Sequence, residues 1–137
     1  IVNSDVTDIA ASGTNVLSES TDICNVRLSF ANGCVANVTA SRISMKSERK
    51  MRIFQEQSCI TVDFQDRVLS HYHTGEGEMF PGVPNIENEQ KTYTDGDALR
   101  AEIESFLNCI INKTEPLVSG EAGRRALDVA TQISQLI

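Results

Sequence analysis

The side chains that could do chemistry are few. His71 and His73 stand two apart, with Glu76 and Glu78 close behind. On a strand, residues two apart point the same way, so these four could in principle gather round a metal ion. No second histidine pair completes such a set, and the better reading is exposed polar residues. The glycines at 75, 77 and 82 do not have the spacing of a dinucleotide-binding GxGxxG turn. The chain has no P-loop, GxSxG or HExxH motif either. Asp22 and Arg42 flank a predicted hairpin and should face each other, as a structural cross-strand ion pair before anything else.

The hairpin that positions this pair runs from Asp22 to Ser44. Two alternating apolar runs flank Ala31-Asn32-Gly33, a three-residue loop in which glycine supplies the positive φ. Pairing across it sets Phe30 against Cys34, Leu28 against Ala36, Val26 against Val38 and Cys24 against Ala40. That makes one small, dry apolar face. A two-residue loop would oppose Leu28 to Asn37, and burial of one face argues against that register. The opposite face carries Ile23, Asn25, Arg27, Ser29, Val35, Asn37, Thr39 and Ser41.

Further strands are predicted over Val6–Gly13, Met51–Gln55, Cys59–Phe64 and Arg67–Tyr72, with a short one over Lys91–Thr94. Gly75–Gln90 reads as a loop of about 15 residues, long enough to suspect function. A ligand pocket beneath it is one possibility. Asp95 should cap a helix beginning near Asp97, with Leu99, Ile103, Phe106, Leu107, Ile110 and Ile111 on one apolar stripe. Pro116 breaks it. Ser119 should cap a second helix, with Leu127, Ala130, Ile133, Leu136 and Ile137 on its apolar face. The fold class is α+β: a mostly antiparallel sheet with two C-terminal helices packed on one face and the other face open.

At 137 residues the chain is one domain in size, and its 40% hydrophobic and 23% charged composition is ordinary. The net charge of −7 argues against a nucleic-acid or anionic-membrane partner. No apolar run approaches the ~20 residues of a membrane span. Cys24, Cys34, Cys59 and Cys109 lack metal-site spacing and read as reduced core thiols of a cytoplasmic protein. The sequons at Asn37 and Asn112 read as chance. The first residue is Ile1, not Met, so a processed chain or a piece of a longer protein is expected.

Three stretches, spanning nearly the whole chain, resemble the C-terminal domain of the glucose-fructose oxidoreductase / inositol dehydrogenase / MocA family. They are Gly13–Ser18 with Asp22–Arg42, then Arg49–Phe54, then Asp97–Leu107 with Glu115–Leu127. The pattern Glu115-Pro116-Leu117-Val118-Ser119-Gly120-Glu121 is the most specific. The resemblance implies an N-terminal Rossmann domain that binds NAD or NADP. It also implies a catalytic lysine in that domain and an Asp/His pair opening the C-terminal one. This sequence matches none of those positions, so no catalytic or cofactor-binding residue is carried over. Residues 1–137 are expected to be inactive alone. They would complete the pocket for a sugar or nucleotide sugar and form a homo-oligomer through the open sheet face. The interface residues would be Asn25, Arg27, Val35, Asn37 and Thr39. The segment after the second hairpin strand should reach substrate, through Ser44 and Lys46 with Arg42 behind them. The rival expectation is a stand-alone interaction module without catalysis.

Overall fold

Alternation of apolar and polar residues, punctuated by glycine, proline and aspartate, gives seven strands and two helices among the described residues. The computed structural model describes residues 1–94 and 96–137. The order is β1 (Val6–Thr14), β2 (Ile23–Phe30), β3 (Val35–Ser41), β4 (Lys50–Gln55), β5 (Ser58–Asp63), β6 (Val68–Phe80), β7 (Val83–Thr92), α1 (Ala98–Asn112) and α2 (Gly120–Leu136). The class is α+β with antiparallel strands, as expected. The strands form two sheets rather than one: β1-β2-β3 and β4-β5-β6-β7. They fall in two compact units, residues 1–45 with 106–137, and residues 46–105; the boundary lies within α1.

In the first unit the hairpin takes the expected register. Cys24 pairs with Ala40, Val26 with Val38 and Leu28 with Ala36. Phe30 N donates to Cys34 O at 2.9 Å, and Gly33 N donates to Phe30 O at 2.9 Å. Gly33 sits at φ +84°, with open space where a Cβ would go. Gly33→Ala should therefore cost only backbone strain, about 1 kcal/mol. A urea midpoint unchanged by the substitution would refute a strict glycine requirement.

The centre strand β2 pairs with β1 on its other side, Ile9 to Leu28 and Ala11 to Val26. Val26 and Leu28 are buried there. Over β3 the same face is open: Val38 and Ala40 are exposed, so the apolar face is dry only above β2. The hairpin alternation marks the face but not how far its cover extends.

Helix α2 packs on β1. Ser119 caps it as expected, accepting from Ala122 N at 3.2 Å. Its covered side chains are Ala122, Val129 and Ile133, whereas Leu127, Ala130, Leu136 and Ile137 stay exposed. The helix is thus turned from the expected face toward Val129. For α1, Asp97 is the N-cap, its Oδ1 accepting from Arg100 N at 3.1 Å. The expected cap, Asp95, lies outside the described residues. Lys113 at φ +54° ends the helix, with Thr114 N donating to Cys109 O at 3.0 Å. The apolar stripe of α1 is exposed along its length. All four cysteines are free and only half-buried, less enclosed than core thiols.

The second unit corrects the largest expectation. Residues 75–90 are not a loop but the far half of β6 and most of β7. Pro81 and Gly82 make a two-residue turn, with Gly82 at φ +80° in the glycine position of a type II turn. Glu78 Oε2 accepts from Gly82 N at 3.0 Å and braces it. The pocket imagined beneath a loop here loses its roof. The strand expected over Lys91–Thr94 is the end of β7, and that over Arg67–Tyr72 is the start of β6.

Candidate functional site

The densest polar arrangement in the first unit is built on Asp22, which is 3% exposed. The chain leaves β1 at Thr14 and loops back, and Asp22 N donates to Thr14 O at 2.9 Å. Three consecutive amides of that loop close on one carboxylate oxygen. Val16, Leu17 and Ser18 N donate to Asp22 Oδ2 at 2.8, 2.7 and 3.0 Å. The other oxygen accepts from Ser18 Oγ at 2.9 Å and from Arg42 Nε at 2.6 Å. Successive amides pointing inward form an anion cradle. The Leu17 and Val16 amides, then the Arg42 guanidinium, hold the Asp22 carboxyl far below the usual carboxylate range.

Arg42 therefore locks the hairpin end to the preceding loop, as the facing positions implied. Its Nη2 also donates to the hydroxyls of Ser18 and Ser20 and to Ser20 O. The other two residues expected at substrate are placed differently. Ser44 Oγ donates to Ser41 Oγ at 2.9 Å, just past the clasp. Lys46 belongs to the second unit and pairs with Glu48 at 3.2 Å, with its side chain 75% exposed. Lys46, and then Lys50, lower the Glu48 carboxyl.

Sequence reasoning missed Asp63. Its Oδ1 accepts from Gln65 and Asp66 N, both at 3.0 Å, and its Oδ2 takes Lys50 Nζ at 3.1 Å. The Asp66 amide is the first cause that lowers its carboxyl. The available signal was an Asp opening a short polar turn after a strand.

The open face of the first sheet carries Asn25, Arg27, Val35, Asn37 and Thr39, all exposed. Arg27 Nη1 donates to Asn37 Oδ1 at 3.2 Å, and Thr39 Oγ1 donates to Asn25 Oδ1 at 2.9 Å. These cross-strand bonds hold the polar side chains flat on the sheet. In the second unit, His71 Nε2 lies 2.9 Å from Ser58 Oγ, and His73 Nε2 lies 4.0 Å from Glu89 Oε1. Among the described residues no three His, Cys, Asp or Glu side chains are grouped to hold a metal ion. No helix among them is long and apolar enough to cross a membrane.

The sequence profile described as "Oxidoreductase family, C-terminal alpha/beta domain" matches residues 2–135. The UDP-N-acetylglucosamine 3-dehydrogenase of Acidithiobacillus ferrooxidans is 38% identical over 126 residues, which is 92% of this chain and 40% of that protein. A solved structure of that enzyme superposes with a TM-score of 0.88 and 36% identity, covering 98% of this chain and 42% of its own. The aldose-aldose oxidoreductase of Caulobacter crescentus, solved with glycerol, shares the fold at a TM-score of 0.73 and 18% identity. There the cover is 97% of this chain and 39% of the other. The chain thus spans about 40% of the length of the relatives it matches. It belongs to the glucose-fructose oxidoreductase / inositol dehydrogenase / MocA oxidoreductase family, within which it corresponds to the C-terminal α/β domain.

Proposed function

We propose that this domain completes the substrate pocket of a nicotinamide-dependent oxidoreductase that oxidises a carbinol of a nucleotide sugar, and that it pairs with a second copy. The observation that carries the substrate class is the 38% identity, over 92% of the chain, to a UDP-N-acetylglucosamine 3-dehydrogenase. The chain's own residues do not fit the dinucleotide. Gly75, Gly77 and Gly82 lie in a β-hairpin, and among the described residues no glycine-rich strand-to-helix turn exists to cradle a pyrophosphate. NAD or NADP would belong to the remainder of a full-length protein.

Within that reading Lys46 is the contact for the anionic diphosphate, and the Ser44 hydroxyl turns from Ser41 to donate to a sugar or phosphate oxygen. Arg42 fixes the hairpin end that leads to Ser44, through Asp22. The face of Asn25, Arg27, Val35, Asn37 and Thr39 is the homo-oligomer surface, too polar for a core and too apolar for plain solvent. The experiment is oxidation of UDP-N-acetylglucosamine by the full-length protein with NAD or NADP, followed by absorbance of the reduced nicotinamide. Lys46→Glu should raise KM about tenfold, with a smaller effect on kcat, the scale of one charge-assisted hydrogen bond. No turnover of any sugar or nucleotide sugar, with dimerisation retained, would leave the stand-alone interaction module as the surviving reading.

A further inference from the structure

The sheet of the second unit is polarised along its strands. β4 and β5 are six residues each, whereas β6 and β7 are 13 and 10. The last β5 partner is Ser58, opposite His73, so beyond Thr74 the two long strands pair only with each other. They form an arm. Beyond Thr74 the arm carries Glu76 and Glu78, with Glu87 at its base opposite His73, and no Lys or Arg. The tip of this acidic arm exposes Met79, Phe80 and Val83.

The other end of the same sheet is basic. The register Lys50–Asp63–Val68–Thr92 marks it. Lys46, Arg49, Lys50 and Arg52 crowd there within seven residues, with only Glu48 among them. Lys50 and Lys46 have acidic partners, but Arg49 and Arg52 make no ion pair among the described residues. Beside them Phe64, whose amide donates to Arg49 O at 2.8 Å, is 52% exposed. The length of β4 alone separates the two ends by roughly 17 Å at 3.4 Å per residue, beyond a Debye length at physiological salt. One sheet therefore leaves both charges and both apolar surfaces unmatched.

We propose that the acidic β6–β7 arm docks on the basic end of this sheet in a second copy of the chain. A two-fold arrangement would make the contact twice, each arm on the other copy's Lys46–Arg52 segment and Phe64. The proposal goes beyond the oxidoreductase reading and does not depend on it. It also uses a surface separate from Asn25–Thr39.

Salt gives the first test, and its sign discriminates. Two copies of a chain with net charge −7 repel, so an interface held by apolar contact alone tightens as salt rises. Local opposite charges weaken instead. Light scattering over a concentration series should show self-association whose Kd rises about tenfold between ~0.05 and ~0.5 M NaCl. Glu76→Lys/Glu87→Lys and Arg49→Glu/Arg52→Glu should each weaken it by at least about tenfold. An equimolar mixture of the two variants should associate again, because every arm then meets an end of opposite charge. That rescue also excludes misfolding as the cause. A monomer at every concentration, association that tightens with salt, or a mixture no tighter than either variant alone would overturn the proposal. The salt series on the unaltered protein stands whether or not the variants fold.

Discussion

Asp22→Asn should lower the melting temperature by roughly 5–10 °C at neutral pH, although it removes no volume. The Asp22 carboxylate receives three backbone amides, a serine hydroxyl and a guanidinium. An amide in its place keeps one acceptor oxygen but turns an NH2 group toward donors. Leu17, 79% exposed, rides on the loop these bonds hold. Losing them should open Asn15–Thr21 to proteolysis before the sheet melts. The pH dependence follows from the depressed carboxyl. Such a group contributes fully above its unfolded value of about 3.9 and loses its contribution as pH falls toward the folded value. The gap in melting temperature between the protein and Asp22→Asn should be widest above about pH 5 and should narrow below about pH 4. A gap that stays constant from neutral to acid pH would show that the charge of Asp22 is not what holds the loop.

Asp22 also shows how far the sequence could be read. Its pairing with Arg42 follows from counting along a hairpin, because a period of two and one glycine turn leave little freedom. The amides of Val16, Leu17 and Ser18 could not be counted to, since their convergence depends on the path of an irregular loop. The same limit explains β6 and β7. Alternation marks a strand only when one face is buried. The Glu76–Glu89 stretch is wet on both sides, so it carries no period. Pro81-Gly82 was the sole local signal, and it sat among residues of low strand propensity. The division into two sheets is written in no local pattern.

The apolar stripe of α1 is the clearest case of a pattern without its counterpart. Leu28→Ala and Ile103→Ala remove similar volumes, and the structure predicts very different costs. Leu28 lies in the centre strand at 9% exposure, between Ile9 and Ala36. Its truncation should cost about 2–3 kcal/mol, at the lower end for buried leucine because the site borders solvent. Ile103 is 51% exposed. Its truncation should cost less than about 0.5 kcal/mol, the range of ordinary surface changes. Urea unfolding of both variants measures the difference directly. A loss at Ile103 as large as at Leu28 would mean that the stripe is covered in solution. Helical spacing at Leu99, Ile103, Phe106 and Ile110 would then reflect a partner surface, because an amphipathic helix gains most of its stability by burying its apolar face. Repeating Ile103→Ala across a protein-concentration series separates the two sources of cover. A cost that grows with concentration belongs to a second copy, since association adds stability by mass action, and a constant cost belongs to the chain itself.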